Sequence, residues 1–175
     1  MIMEYTNLSF NDFDSFFELM EETFPVEERR SFDNAKKIFT QYPFYHVLGT
    51  KNEKGKVISF LAYWEFDGCY FVDHLAVHHT LRGQGIGADL MHCFLKNTDK
   101  LVVLEVELPE NETARRRIKF YERLGFHLNL HEYIQPSMQE GQPSIKMNIM
   151  SYKKMLTKKA FDDFCKEVYS KAYGK

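Results

Sequence analysis

Leu75-Ala76-Val77-His78-His79-Thr80-Leu81-Arg82-Gly83-Gln84-Gly85-Ile86-Gly87-Ala88 runs from an apolar strand end through a short polar turn into a glycine-rich helix opening. Glycines 83, 85 and 87 carry no Cβ, so backbone N–H groups there can approach an anion closely. The first turn of a helix leaves N–H groups without intrahelical partners, and it carries partial positive charge. Phosphate binding follows from that geometry. Arg82 adds a full charge and a planar pair of donors. The competing use of such a segment is tight strand–helix packing with no ligand.

The neighbouring sequence supplies the framework. Residues 70–77 read as a strand after the Asp67-Gly68 turn signal, and residues 45–50 and 57–64 read as a hairpin across a polar turn. Ahead of them, Phe13, Phe16, Phe17, Met20 and Phe24 repeat at helical spacing, with Ser9 or Asn11 as caps and Pro25 as a stop. A second helix covers 31–41, and residues 3–7 make a short first strand. Beyond the glycines, residues 85–96 are helical, 101–107 a strand, and 113–124 a helix stopped by Gly125. Strands follow at 126–130 and 144–152. Residues 131–143 hold two prolines and a glycine and read as a loop, and an amphipathic helix covers 159–172. Antiparallel strands feeding a β-α-β unit imply a mixed α/β sheet.

Composition bounds the function. The chain has 175 residues, 44% apolar and 27% charged, which suits a single domain over 1–175: a core over 1–152 and a helical extension over 153–175. A core of this size needs no disulfide or metal. A net charge of −2 argues against a nucleic-acid partner. Cys69, Cys93 and Cys165 are odd in number and form no C-x-x-C pair, and no apolar run approaches membrane-helix length. The expected location is cytoplasmic, without a membrane partner, as monomer or homodimer. Residues 1–33 carry nine acids against two arginines, and residues 151–175 seven lysines against three acids. The two regions are either complementary solvated faces or an acidic rim for a cationic substrate.

Gly83, Gly85 and Ala88 also fit the dinucleotide fingerprint G-x-G-x-x-A, and Glu105 and Glu107 follow at about the ribose-binding distance. Five residues separate Val77 from Gly83, three strands precede the motif, and too little chain follows for a second half. No G-K-[ST] follows the glycines, which excludes a Walker A loop.

Two motifs carry a resemblance. Arg82-Gly83-Gln84-Gly85-Ile86-Gly87 matches [RQ]-x-x-G-x-[GA], and Phe120-Tyr121-Glu122-Arg123-Leu124-Gly125-Phe126 matches F-Y-E-[KR]-x-G-F. In these the chain resembles the GCN5-related N-acetyltransferase (GNAT) superfamily over roughly 3–152. The resemblance implies a mostly antiparallel sheet with a parallel β-α-β unit whose fourth and fifth strands splay apart around acetyl-CoA. It places the pyrophosphate on the amides of Arg82, Gly83, Gln84, Gly85, Ile86 and Gly87, with Ala88 in the same turn. Leu75, Ala76 and Val77 would pair with the pantetheine arm like an added strand, and an amide near Leu75 would face the thioester oxyanion.

Acetyl transfer needs a proton for the departing thiolate, and the resemblance places Tyr121 there, beside Phe120. The proton acceptor varies in this family. Glu107 is the first choice, with Glu105, Asp73, His74, Glu27 and Glu28 also open. The family often has an asparagine where this chain has Ala114. Asn111 lies elsewhere, and Arg117, one turn from Tyr121, is a candidate for cofactor phosphate. His74, His78 and His79 do not form a helical ligand pair, so no metal is expected. The loops 24–30 and 131–136 are expected to wall the acceptor pocket, with Glu27, Glu28, Arg29, Tyr133 and Gln135 touching a small-molecule or peptide amine. The alternative function is a non-catalytic acyl-CoA-binding regulatory module.

Overall fold

The computed structural model describes residues 3–175. Its elements are β1 (Thr6–Asn7), α1 (Phe13–Thr23), α2 (Phe32–Gln41), β2 (Tyr45–Lys51), β3 (Val57–Glu65), β4 (Cys69–Val77), α3 (Ile86–Lys96), β5 (Leu101–Glu107), α4 (Glu112–Arg123), β6 (Phe126–Leu128), β7 (Tyr133–Gln135), β8 (Ile145–Tyr152) and α5 (Lys158–Glu167). The strands form one sheet in the order β1-β2-β3-β4-β5-β8-β6, with β7 also on β8. Neighbours run antiparallel except β4 and β5. Among the described residues, no helix is long and apolar enough to cross a membrane.

Helices cover both faces, and the central strands are apolar on both sides for that reason. Along β3, Phe60, Ala62 and Trp64 join Phe13, Phe16 and Phe17 of α1, whereas Leu61 joins Leu90, Met91 and Phe94 of α3. Phe16 meets Phe60 edge-on at 4.6 Å, and Phe13 meets Phe39 of α2 at 5.3 Å. Burying each such ring is worth roughly 1.5–3 kcal/mol. The C-terminal helix lies on the same face: Phe161 and Phe164 are buried against Phe71, Tyr133 and Ile149. That apolar stripe therefore covers the sheet.

Four expectations need correction. The first strand is only Thr6–Asn7. The loop expected over 131–143 contains β7, because the exposed edge of β8 accepts Tyr133–Gln135 as a partner. The strand expected over 126–130 stops at Leu128, where Asn129 turns inward. Its Nδ2 donates to Ile149 O (3.3 Å) and Ser151 Oγ (2.8 Å), and its Oδ1 accepts the Leu156 N–H at 2.6 Å. This satisfied buried amide fixes where β6 gives way to β7. The terminal helix likewise ends at Glu167 and continues as a π turn over Val168–Ala172.

Candidate active site

Strands β4 and β5 pair only from Cys69↔Leu101 to Val72↔Leu104. Beyond that point they diverge, although β4 stays paired with β3 as far as Val77. His78 N–H bonds to Ile58 O at 2.9 Å. Antiparallel ladders alternate bonded and non-bonded pairs, so Ala76 faces β3 while Leu75 and Val77 turn N–H and C=O into the gap. Arg82 Nε donates to Val77 O at 3.1 Å across that edge. The gap is a cleft enclosing about 100 Å³, lined among others by Leu75, Leu104, Glu105, Arg117 and Tyr121.

The glycine segment follows β4 after a 3-10 turn, His79–Leu81. Gly83 (φ +80°) and Gly85 (φ +82°) both sit in the left-handed region, which a Cβ would strain. The first helical bond of α3 runs from Asp89 N–H to Gly85 O, so the amides of residues 86–88 have no intrahelical acceptor. Gly87 differs: a Cβ there would touch Val77 Cγ2 at 3.5 Å and Phe120 Cζ at 3.7 Å. It therefore marks close packing between the loop, β4 and α4.

Tyr121 faces the cleft from α4 and is 8% exposed. Burial pushes its phenol up to about 12, with Arg117 offsetting in part, so the side chain is neutral and protonated at pH 7. Asn111 caps α4 through Ala114 N–H (2.8 Å). Arg115 donates to Pro109 O, and Arg116 pairs with Glu112. Only Arg117 of the three reaches the cleft, where its Nη1 holds Glu107 Oε2 at 3.1 Å.

The carboxylates separate by depth. Glu105 lines the cleft, and Glu107 stands at its rim beside Glu28. Burial pushes the Glu28 carboxyl up to about 7, reinforced by its hydrogen bond to Glu107 and by that group's charge, with Arg117 opposing. Burial also pushes Glu105 up to about 7, against the hydroxyls of Tyr133 and Tyr173. Asp73 is committed elsewhere. Arg30 Nη1 lies 2.6 Å from Asp73 Oδ2, and Trp64 Nε1 donates to the same oxygen at 3.1 Å. Burial opposes the Asp73 charge, yet Arg30, His74 and Trp64 hold the carboxyl below the usual range. His74 Nε2 bonds to Glu28 O at 2.8 Å, and burial pushes its imidazole down. It is a neutral ring that anchors the Glu28 loop.

The 24–30 loop is met by the segment just beyond 131–136. Gln139 Nε2 donates to Val26 O (3.0 Å) and Arg29 O (2.8 Å). Phe24 and Glu28 from the first expected loop, Gln135 from the second, and Met138 beyond it line the cleft. Glu27 and Arg29 do not. Arg29 turns to Glu21 at 3.3 Å and to the Phe17 ring. Tyr133 is 1% exposed and packs among Phe161, Phe164 and Tyr169, so it is a core residue that reaches the site only through Glu105. Two participants escaped the sequence reading. Arg30, next to Arg29, ties Asp73 to the Ala172 carbonyl, and Tyr173 caps Glu105 from the terminal turn.

Comparison with known proteins agrees with this geometry. The family described as "Acetyltransferase (GNAT) domain" matches residues 43–128, from β2 through β6. "Putative acetyltransferase YjbC" of Bacillus subtilis (strain 168) is 35% identical over 115 residues, covering 64% of this chain and 56% of that protein. The chain thus spans little more than half the length of that curated relative. The structure titled "Putative acetyltransferase from GNAT family from Bacteroides thetaiotaomicron" superimposes with a TM-score of 0.88 at 29% identity, covering 99% of each chain. An aminoglycoside 6'-N-acetyltransferase complexed with coenzyme A shares the fold at a TM-score of 0.64 and 15% identity, over 85% of this chain and 96% of that one. Residues 43–128, which hold the splayed strands, the glycine segment and the Phe120–Phe126 motif, match the GNAT acetyltransferase domain, and the whole chain has the fold of a GNAT-family structure.

Proposed function

We propose that this protein is an acetyl-CoA-dependent N-acetyltransferase that passes the acetyl group directly to an amine. The observation that carries the reading is the unpaired inner edge of β4, with Leu75 and Val77 facing the gap, leading straight into the free amides of the glycine segment. The edge suits an extended amide-bearing arm, and the amides and Arg82 suit its pyrophosphate. An acyl thioester bound there supplies an electrophilic carbonyl. Residues 1–152 and the 153–175 extension act together as one domain, because the terminal turn supports the acceptor side.

On this reading, the Leu75 amide stabilises negative charge on the thioester oxygen as the C–N bond forms. Tyr121 donates its phenolic proton as the C–S bond breaks, so the products are an amide and a free thiol. Glu28, beside Glu107, takes the proton that the substrate ammonium gives up, and the neutral amine then attacks the thioester carbonyl. Gln135 and Met138 set the shape of the acceptor side. The facing carboxylates favour a cationic small molecule or peptide amine. A relative complexed with coenzyme A supports the donor assignment, and relatives that act on aminoglycosides and on a ribosomal-protein alanine support an amine acceptor.

Thermal melting with acetyl-CoA, CoA and NAD tests the donor. Ligand at about 100 Kd should raise Tm by about 5–11 °C. A rise with NAD alone would sink the proposal. Tyr121→Phe tests the chemistry: turnover should fall by about 10²–10⁴-fold while the acetyl-CoA shift persists. Full turnover in that variant would remove Tyr121 from its role. CoA binding without turnover on any amine would leave the regulatory-module reading instead.

A further inference from the structure

We propose that Glu22, His78 and His79 form a binding site for a divalent transition-metal ion such as Zn²⁺, outside the cleft and on the approach to the glycine segment. The three residues come from separate places. Glu22 lies in the last turn of α1, while His78 and His79 follow the end of β4. One ligand atom from each lies within 4.8 Å of the other two. Tetrahedral ligands at 2.0–2.1 Å from zinc stand roughly 3.3 Å apart, so closure needs a shift of about an ångström. Glu22 and His79 are exposed and free to make it.

The site has a built orientation. His78 Nδ1 is held by Thr80 Oγ1 at 2.8 Å, which aims Nε2 at Glu22 Oε2, 3.8 Å away. Metal-bound imidazoles commonly fix their second nitrogen this way. The His79 ring lies 4.3 Å from that of His78, on the same side of the turn. Two imidazoles and one carboxylate select borderline transition metals over Mg²⁺ or Ca²⁺. Three protein ligands leave a fourth position open to water or an anion. Glu22 and His78 line a groove shared with Thr80 and Gln84. Spacing along the chain hides the site, because Glu22 joins only when α1 packs beside β4. A bound ion would cross-link α1 to the turn that carries Arg82.

The test is calorimetric titration of the 175-residue chain, without a histidine tag, using Zn²⁺ and separately Mg²⁺. One Zn²⁺ per chain is expected, with at least about tenfold weaker binding in Glu22→Gln and in His79→Gln. Thr80→Val, which removes no ligand, should weaken binding by about tenfold, whereas His92→Gln on α3 should change nothing. Tm measured without metal confirms that each variant folds. Unchanged Zn²⁺ affinity in both ligand variants, or Mg²⁺ binding as tight as Zn²⁺, overturns the proposal. The outcome is independent of the acetyltransferase reading, since no turnover is measured.

Discussion

Tyr173 donates its hydroxyl to both carboxylate oxygens of Glu105, at 2.9 Å to each, while Tyr133 of β7 donates to one of them. A carboxyl on the cleft wall is thereby held by two phenols from outside the β4–β5 unit. Tyr173→Phe removes one of these donors and leaves Glu105 less satisfied. The expected cost is about 1–3 kcal/mol, read as a lower urea midpoint at unchanged slope. No loss of stability would mean that the contact carries no energy.

Glu105 should also shape the pH dependence of stability. Its carboxyl titrates at about 7 when folded, against an ordinary value of 4.5. The folded state therefore holds the proton more tightly, and this group's contribution falls as pH rises between about 4.5 and 7. Glu105→Gln abolishes that dependence. Its Tm minus the parent Tm should become more positive from pH 5 to pH 7.5. A flat or falling difference would contradict the assigned shift.

The Arg30–Asp73 pair is enclosed, with side chains 6% and 2% exposed. Arg30→Met strands the Asp73 charge and should cost about 3–5 kcal/mol in chemical denaturation. Pairing it with Asp73→Asn should recover a substantial part, because no charge is then left uncompensated. Equal losses in the single and double variants would show that packing of the Arg30 stem dominates.

The glycines of the 83–87 segment should separate in a stability series. Gly85→Ala places a Cβ at φ +82° and should cost about 1–2 kcal/mol. Gly87→Ala sits in ordinary helix with only van der Waals neighbours and should be neutral, or stabilising by up to about 1 kcal/mol. Identical melting temperatures for the two would refute this division.

Much of the architecture was readable from the sequence, since periodic apolar residues mark both long helices and central strands. Residues 45–65 and 101–107 sit almost where alternation and β-branching put them. β7 was not readable: three residues within a proline-rich stretch become a strand only because β8 has a vacant edge. The glycine turn into α3 and the helix that carries Tyr121 were legible because their spacing is local. The carboxylates were not sorted, because Glu105 and Glu107 share a strand face and differ only in depth. Arg30, Tyr173 and Glu22 act through partners distant in sequence, and no spacing rule reaches them.

The split between β4 and β5 also bears on how the molecule behaves in a crowd. An unpaired strand edge at the border of a sheet is a template for another chain, and the usual outcome is aggregation. Here the exposed edge lies inside the sheet, overlooked by Tyr121 on one side and Met138 on another. The protein thus keeps a sticky backbone edge in its interior and not at the sheet's border, where a neighbour's polypeptide would find it.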